Sequence, residues 1–159
     1  MSDSPSRLVL PNVPQLRFYD GGPRCPEDIP FPSAMRALME HFGEDRYGCR
    51  ACRGLQPGCS IHCSYAFFVG VSGVASFLNW KPGWEGDNVE IMYMSDDPEA
   101  PFGRAFAATG YQYALGDGND AQRQIVESLQ QGRPVLGFGP IGPPESALIT
   151  GYDEGRLRG

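Results

Sequence analysis

What this 159-residue chain has little of already narrows what it can do. It holds two histidines, His41 and His62, and none beyond position 62. A hydrolase whose imidazole base arrives on a late strand would therefore lack its base. No stretch approaches eighteen apolar residues, which excludes a membrane-spanning helix. Positive charge is scarce as well: 13 basic residues face 19 acidic ones, for a net charge of −6 and a pI near 4.8. Such a surface repels phosphate backbones and argues against nucleic acid as a partner. The same field favours a cationic ligand, such as a polyamine or an amino sugar. The N-terminal "MSDSPSRLVLPNVPQLRFYDGG" has no apolar h-region of a signal peptide. That points to the cytoplasm, where thiols stay reduced.

What is present suits one loop-rich α+β domain: 21 glycines and 15 prolines beside an apolar fraction of 41%. Residues 1–32 read as an extended arm, because prolines at 5, 11, 14, 23, 26, 30 and 32 oppose a helix. Its apolar side chains, from Leu8 to Phe18, drape over a single domain spanning 33–159. "SAMRALMEHFG" predicts a helix with Ser33 as N-cap, Met35, Leu38, Met39 and Phe42 facing inward and Gly43 as its stop. His41 falls on that helix's exposed side, as a solvated or capping residue. "SYAFFVGVSGVASFLNW" predicts a short buried helix to about Val71, a break at Ser72-Gly73 and a strand ending near Trp80. "KPGWEGDN" is a turn and "VEIMYM" a strand. "SDDPEAPFGRAFAATG" begins a helix with Phe102, Ala105 and Phe106 on one face, its start marked by Asp96/Asp97 and Pro98. "YQYAL" alternates like a strand, and "NDAQRQIVESLQQG" is a helix with Ile125, Val126 and Leu129 inward and Gly132 as its stop. "RPVLGFG" and "SALITGYD" form two strands, and "DEG" turns the chain towards one more that it does not complete, which would make it a fragment of a longer chain.

The densest chemistry lies in residues 47–63, a loop with the spacing C-x2-C-x6-C-x3-C. Two close pairs of thiols are the usual way a loop presents four thiolates to a tetrahedral zinc, so Cys49, Cys52, Cys59 and Cys63 are candidate ligands of a structural zinc. His62 would replace one thiolate or donate from outside the ligand shell, and Arg50 and Arg53 would offset the charge. Two alternatives stay open. The thiols are free, with Cys59 and Cys63 packed as small hydrophobes, or they serve disulfide or redox chemistry.

Other motifs fall to plainer readings. "GFGPIG" matches a dinucleotide fingerprint, but Pro143, Pro144 and a strand follow where the pyrophosphate-binding helix would start. "GVSG" misses the spacing of a nucleophile elbow. "CSYAFF" resembles the start of the papain nucleophile helix, where a thiol sits at a helix N-terminus. With no histidine downstream, helix packing explains "YAFF" equally well. Glu145, opening an apolar strand after a Gly/Pro crossover, is either a solvated strand end or the acidic lining of a pocket.

"IVESLQQGRPVLGFGPIGPPESALITGYDEG" resembles the end of a papain-like domain of the bacteriocin-leader-peptidase type. Together with "PFPSAMRALMEHFGED" and "FVGVSGVASFLNW" it is similar to the butirosin biosynthesis protein H N-terminal domain family, over roughly residues 8–155. The resemblance implies a bacterial, cysteine-peptidase-like α+β fold, with a helical first half packed on a small antiparallel sheet. It also implies an acyltransferase-like activity on an amine-bearing or acyl substrate. The family's nucleophilic cysteine opens the first helix; here that stretch is Ile29 to Ser33, without a cysteine. The family's histidine opens the strand ending in "TGYD", a position held here by Glu145, and the third catalytic residue belongs to the next strand. Ser33 and Glu145 are therefore the candidate substrate-binding residues of a degenerate or incomplete catalytic site. The rival expectation is a zinc-clipped module in which residues 49–63 dock a protein partner beside a vestigial cleft.

Overall fold

The computed structural model describes residues 6–16, 27, 29–44, 63–76, 96–116, 118, 120–139 and 145–159. Its elements are β1 (Arg7–Val9), α1 (Pro30–His41), α2 (Cys63–Ser72), a 3-10 turn (Val74–Ser76), α3 (Ala100–Thr109), α4 (Ala121–Gln130), β2 (Val135–Phe138), β3 (Ser146–Ile149), β4 (Gly151–Asp153) and β5 (Arg156–Arg158). The class is α+β: the described helices lie in the chain between β1 and the four later strands, and the described strands form two small antiparallel sheets, β1-β4-β5 and β2-β3. No helix among the described residues is long and apolar enough to cross a membrane.

Helix α1 is the hub. Ten of its twelve residues, Pro30 to Met39, are buried. It starts at Pro30, with Ile29 as N-cap, so Ser33 lies inside the helix and does not cap it. Pro30 and Pro32 do not oppose this helix; they sit in its first turn, where a missing N–H leaves no bond unmade. Phe31, Ala34, Met35, Leu38 and Met39 form the main core with Phe68 of α2, with Phe102, Ala105 and Phe106 of α3, and with Leu148 of β3. Burial of each large side chain there contributes about 1.5–3 kcal/mol. The Phe31 and Phe102 rings meet edge to face, with centroids 5.0 Å apart.

A second cluster joins Leu10, Leu129 of α4, Ile149 and Tyr152. It forms because the N-terminal segment does more than drape: β1 pairs antiparallel with β4, Leu8 opposite Tyr152. Gly151 permits that approach, since a Cβ there would lie 2.9 Å from the Val9 Cα. The "DEG" turn places Glu154 at φ 46° and Gly155 at φ 78°, the two positive values a type I′ hairpin needs. It returns the chain into β5, so the next strand, expected to be missing, is present as Arg156–Arg158.

"YQYAL" is not a strand: residues 111–115 take no regular structure. Tyr111 stacks on Phe42 and Tyr113 on Phe106, with centroids 5.5 and 4.9 Å apart, so ring packing uses the alternation that strand pairing would have used. The helix ends follow the sequence elsewhere. α2 stops at Ser72 before Gly73, α3 at a left-handed Gly110, and α4 before Gly132 at φ 75°. The expected strands near Trp80 and over "VEIMYM", and the turn between them, lie outside the described residues.

Candidate functional site

The start of α1, where the resemblance places a nucleophile, is a closed polar cluster. The Ser33 hydroxyl donates to Glu27 Oε2. Arg36, one turn along, donates from Nη2 to the same oxygen at 2.9 Å, and its Nε lies 2.7 Å from Glu27 Oε1 as an ion pair without an aligned hydrogen bond. The guanidinium also donates from Nη1 to Glu40 Oε2 at 2.9 Å and from Nη2 to the Gln15 carbonyl at 2.8 Å. Glu27 and Arg36 are each 1% exposed and Ser33 is 0% exposed. The helix periodicity explains the placement: Ser33, Arg36 and Glu40 recur at i, i+3 and i+7, a stripe along one face. The backbone N–H of Ile29, at the helix start, donates to the Tyr65 hydroxyl at 3.2 Å. Tyr65 and Phe68, both buried, show what "YAFF" does: it packs α2 against α1.

This arrangement can do little acid–base chemistry. A serine hydroxyl with no solvent access, already donating to a carboxylate that is itself held by a guanidinium, offers no open face to an acyl group. The one histidine among the described residues, His41, lies elsewhere. Its Nε2 is 3.1 Å from the Gly132 carbonyl, where it ties the end of α1 to the end of α4, and its ring leans on Phe42.

Glu145 precedes β3 and is half-buried. Its backbone carbonyl accepts from Gly139 N–H at 3.1 Å, closing the β2–β3 hairpin. Its carboxylate has no hydrogen bond or ion pair among the described residues. The structure thus joins Ser33 to Glu27, which sequence reasoning missed, and not to Glu145. Glu27 lies six residues before Ser33 in a Pro-rich stretch with no periodicity to betray it; a carboxylate flanked by Pro26 and Pro30 was the only signal.

Cys63 opens α2 as a half-buried free thiol. Cys49, Cys52 and Cys59 lie outside the described residues, as do Arg50, Arg53 and His62. Among the described residues no three metal-ligating side chains gather. Asp96 and Asp97 precede α3, where Asp97 Oδ1 accepts the Glu99 N–H at 3.0 Å, a local turn rather than a metal site.

No protein-family model matches the chain, and neither a curated protein nor a solved structure does.

Proposed function

We propose that the chain is a butirosin-H-like, papain-like domain that binds an amine-bearing or acyl substrate without turning it over. What supports this reading is the half-buried Glu145 carboxylate at the mouth of the β2–β3 hairpin, unpaired among the described residues in a chain of net charge −6. A second support is the packing of α1 directly on β3, the helix and strand that in the related domains bear nucleophile and base; Leu148 lies in the same core as Phe31 and Met35. Ser33 has no part in the binding, because its hydroxyl is enclosed. A desolvated contact between the Glu145 carboxylate and an ammonium is worth about 1.5–3 kcal/mol. Isothermal titration with spermidine and with an aminoglycoside tests this. Glu145→Gln weakens binding at least tenfold at unchanged unfolding stability. Absent heats, or equal heats in both proteins, would remove the binding reading. Peptide and thioester substrates are not hydrolysed; turnover abolished by Cys63→Ala would restore a papain-like reading of "CSYAFF".

A zinc-clipped interaction module is the second reading, and Cys63 favours it. The thiol opens α2 half-buried and is not sunk in the core. In a cytoplasmic setting it would be reduced. Native mass spectrometry then shows one zinc per chain, released on acidification as the thiolates protonate. A metal-free, folded protein whose thiols all alkylate rapidly would eliminate the zinc.

A further inference from the structure

Four aromatic rings touch in series beside α3, and two of them are open to solvent. Phe102 is the floor, 7% exposed and packed against Phe31 of the core. Phe138, at the end of β2, meets Phe102 edge to face with centroids 4.7 Å apart. Tyr113, from the segment after α3, lies 6.5 Å from Phe102 and stacks one face on Phe106. Its hydroxyl end lies over the helix, since a Cβ at Gly103 would come 3.8 Å from that oxygen. Tyr113 is 38% exposed and Phe138 39%. Two large rings left open on a shared floor form a contiguous apolar patch, and such patches mark binding surfaces where scattered single residues do not.

The chemistry of the patch selects its ligand. It presents ring faces, and the Tyr113 hydroxyl is the one polar side-chain group of the four rings. A primary ammonium entering it would give up water from three N–H groups for a single oxygen. A quaternary ammonium has no N–H to satisfy, and the negative ring faces attract it. The two ring distances from Phe102 hold the outer centroids within about 11 Å of each other, so a cation between them can lie within about 6 Å of both, the reach of a cation–π contact. The surrounding charge agrees. Asp96, Asp97 and Glu99 are exposed just before α3, on a chain of net charge −6. Glu99 stands one helical turn before Gly103, whose N–H donates to the Glu99 carbonyl at 3.0 Å. Arg104, the cation of this helix, is engaged elsewhere: its Nε and Nη2 donate to the Ser72 carbonyl at the end of α2, at 3.1 and 2.6 Å.

We propose that Phe102, Tyr113 and Phe138 form a binding site for a small, soluble quaternary ammonium of the choline type. The acidic residues before α3 also define what the site rejects. A phosphate tethered beside the ammonium would meet their carboxylates, so the ligand is a cation without an anionic neighbour, and not a lipid headgroup. Glu145 takes no part, because a quaternary ammonium has no N–H to donate to a carboxylate. The site stands whether or not Glu145 binds an amine.

NMR of the whole chain with isotope-labelled aromatic rings, titrated with choline chloride, tests the assignment. Choline shifts the Tyr113 and Phe138 ring signals saturably. Its neutral tert-butyl analogue, in which carbon replaces nitrogen, binds at least about fivefold more weakly, and so does phosphocholine. Tyr113→Leu, which keeps apolar bulk but loses the ring face, weakens choline by at least about fivefold. If that variant fails to fold, the comparison of choline with its neutral analogue on the unaltered chain still decides. No saturable shift of the two rings would overturn the site. Equal binding of the neutral analogue would leave a plain apolar patch and overturn the cation. Equal or tighter binding of phosphocholine, or recruitment to phosphatidylcholine vesicles, would overturn the small-cation assignment.

Discussion

Helices α1 and α4 have similar lengths and both carry arginine–carboxylate pairs, yet the pairs do different work. In α1, Arg36 and Glu27 are sealed from water. In α4, Arg123 reaches Glu127 at 3.0 Å and Asp120 at 3.4 Å with all three side chains more than half exposed, and Leu129 is the helix's one buried residue. The N–O distances nearly coincide; the surroundings do not. Water screens the exposed pairs and solvates either partner if the other is lost, so each is worth about 0–1 kcal/mol. In the core, a partner left alone keeps a charge that nothing solvates, so removing one member costs about 3–5 kcal/mol. Polar residues at the start of α1 therefore read as architecture, where a sequence motif alone would read them as chemistry.

The largest effect expected from breaking that contrast is at Glu27. Glu27→Ala leaves the buried Arg36 with the partly exposed Glu40 carboxylate and the Gln15 carbonyl in place of its buried partner and frees the Ser33 hydroxyl, and urea unfolding shows a loss of about 3–5 kcal/mol. Leu129→Ala comes next. It empties the only buried position of α4 and costs about 2–4 kcal/mol, with Ile149 and Tyr152 losing their packing partner. Gly151→Ala, which presses a methyl group on the β1 backbone, costs about 1–3 kcal/mol and loosens the β1–β4 ladder in amide exchange. Arg123→Ala changes stability by less than about 1 kcal/mol, and 1 M salt erases the difference.

Local signals carried much of the fold. A mostly apolar run located α2 and one-sided apolar spacing α3 and α4, glycines marked their ends, and the Phe102, Ala105 and Phe106 face is buried as its spacing predicts. The β2–β3 hairpin was legible from two apolar runs around a Gly/Pro crossover. What was not legible depends on partners distant in the chain. β1 is a strand only because β4, more than a hundred residues later, supplies its hydrogen bonds. Tyr111 and Tyr113 alternate as in a strand, but the rings of Phe42, just past α1, and Phe106 on α3 claim them first. Arg36 resembles any solvent-facing arginine until Glu27 is placed beside it. The candidate site was legible by position only: the start of α1 and Glu145 were singled out, but the partner of Ser33 was not.

The central claim, that a buried ion pair closes the start of α1, is tested most directly by a double-mutant cycle on Glu27→Ala and Arg36→Met followed by urea unfolding. The account predicts that each single substitution is strongly destabilising. It also predicts that the double variant loses less than the sum of the two by about 1.5–3 kcal/mol, because the second change removes the buried charge whose buried partner the first took away. Losses that add to within about 0.5 kcal/mol would mean that Glu27 and Arg36 act independently, and would contradict it.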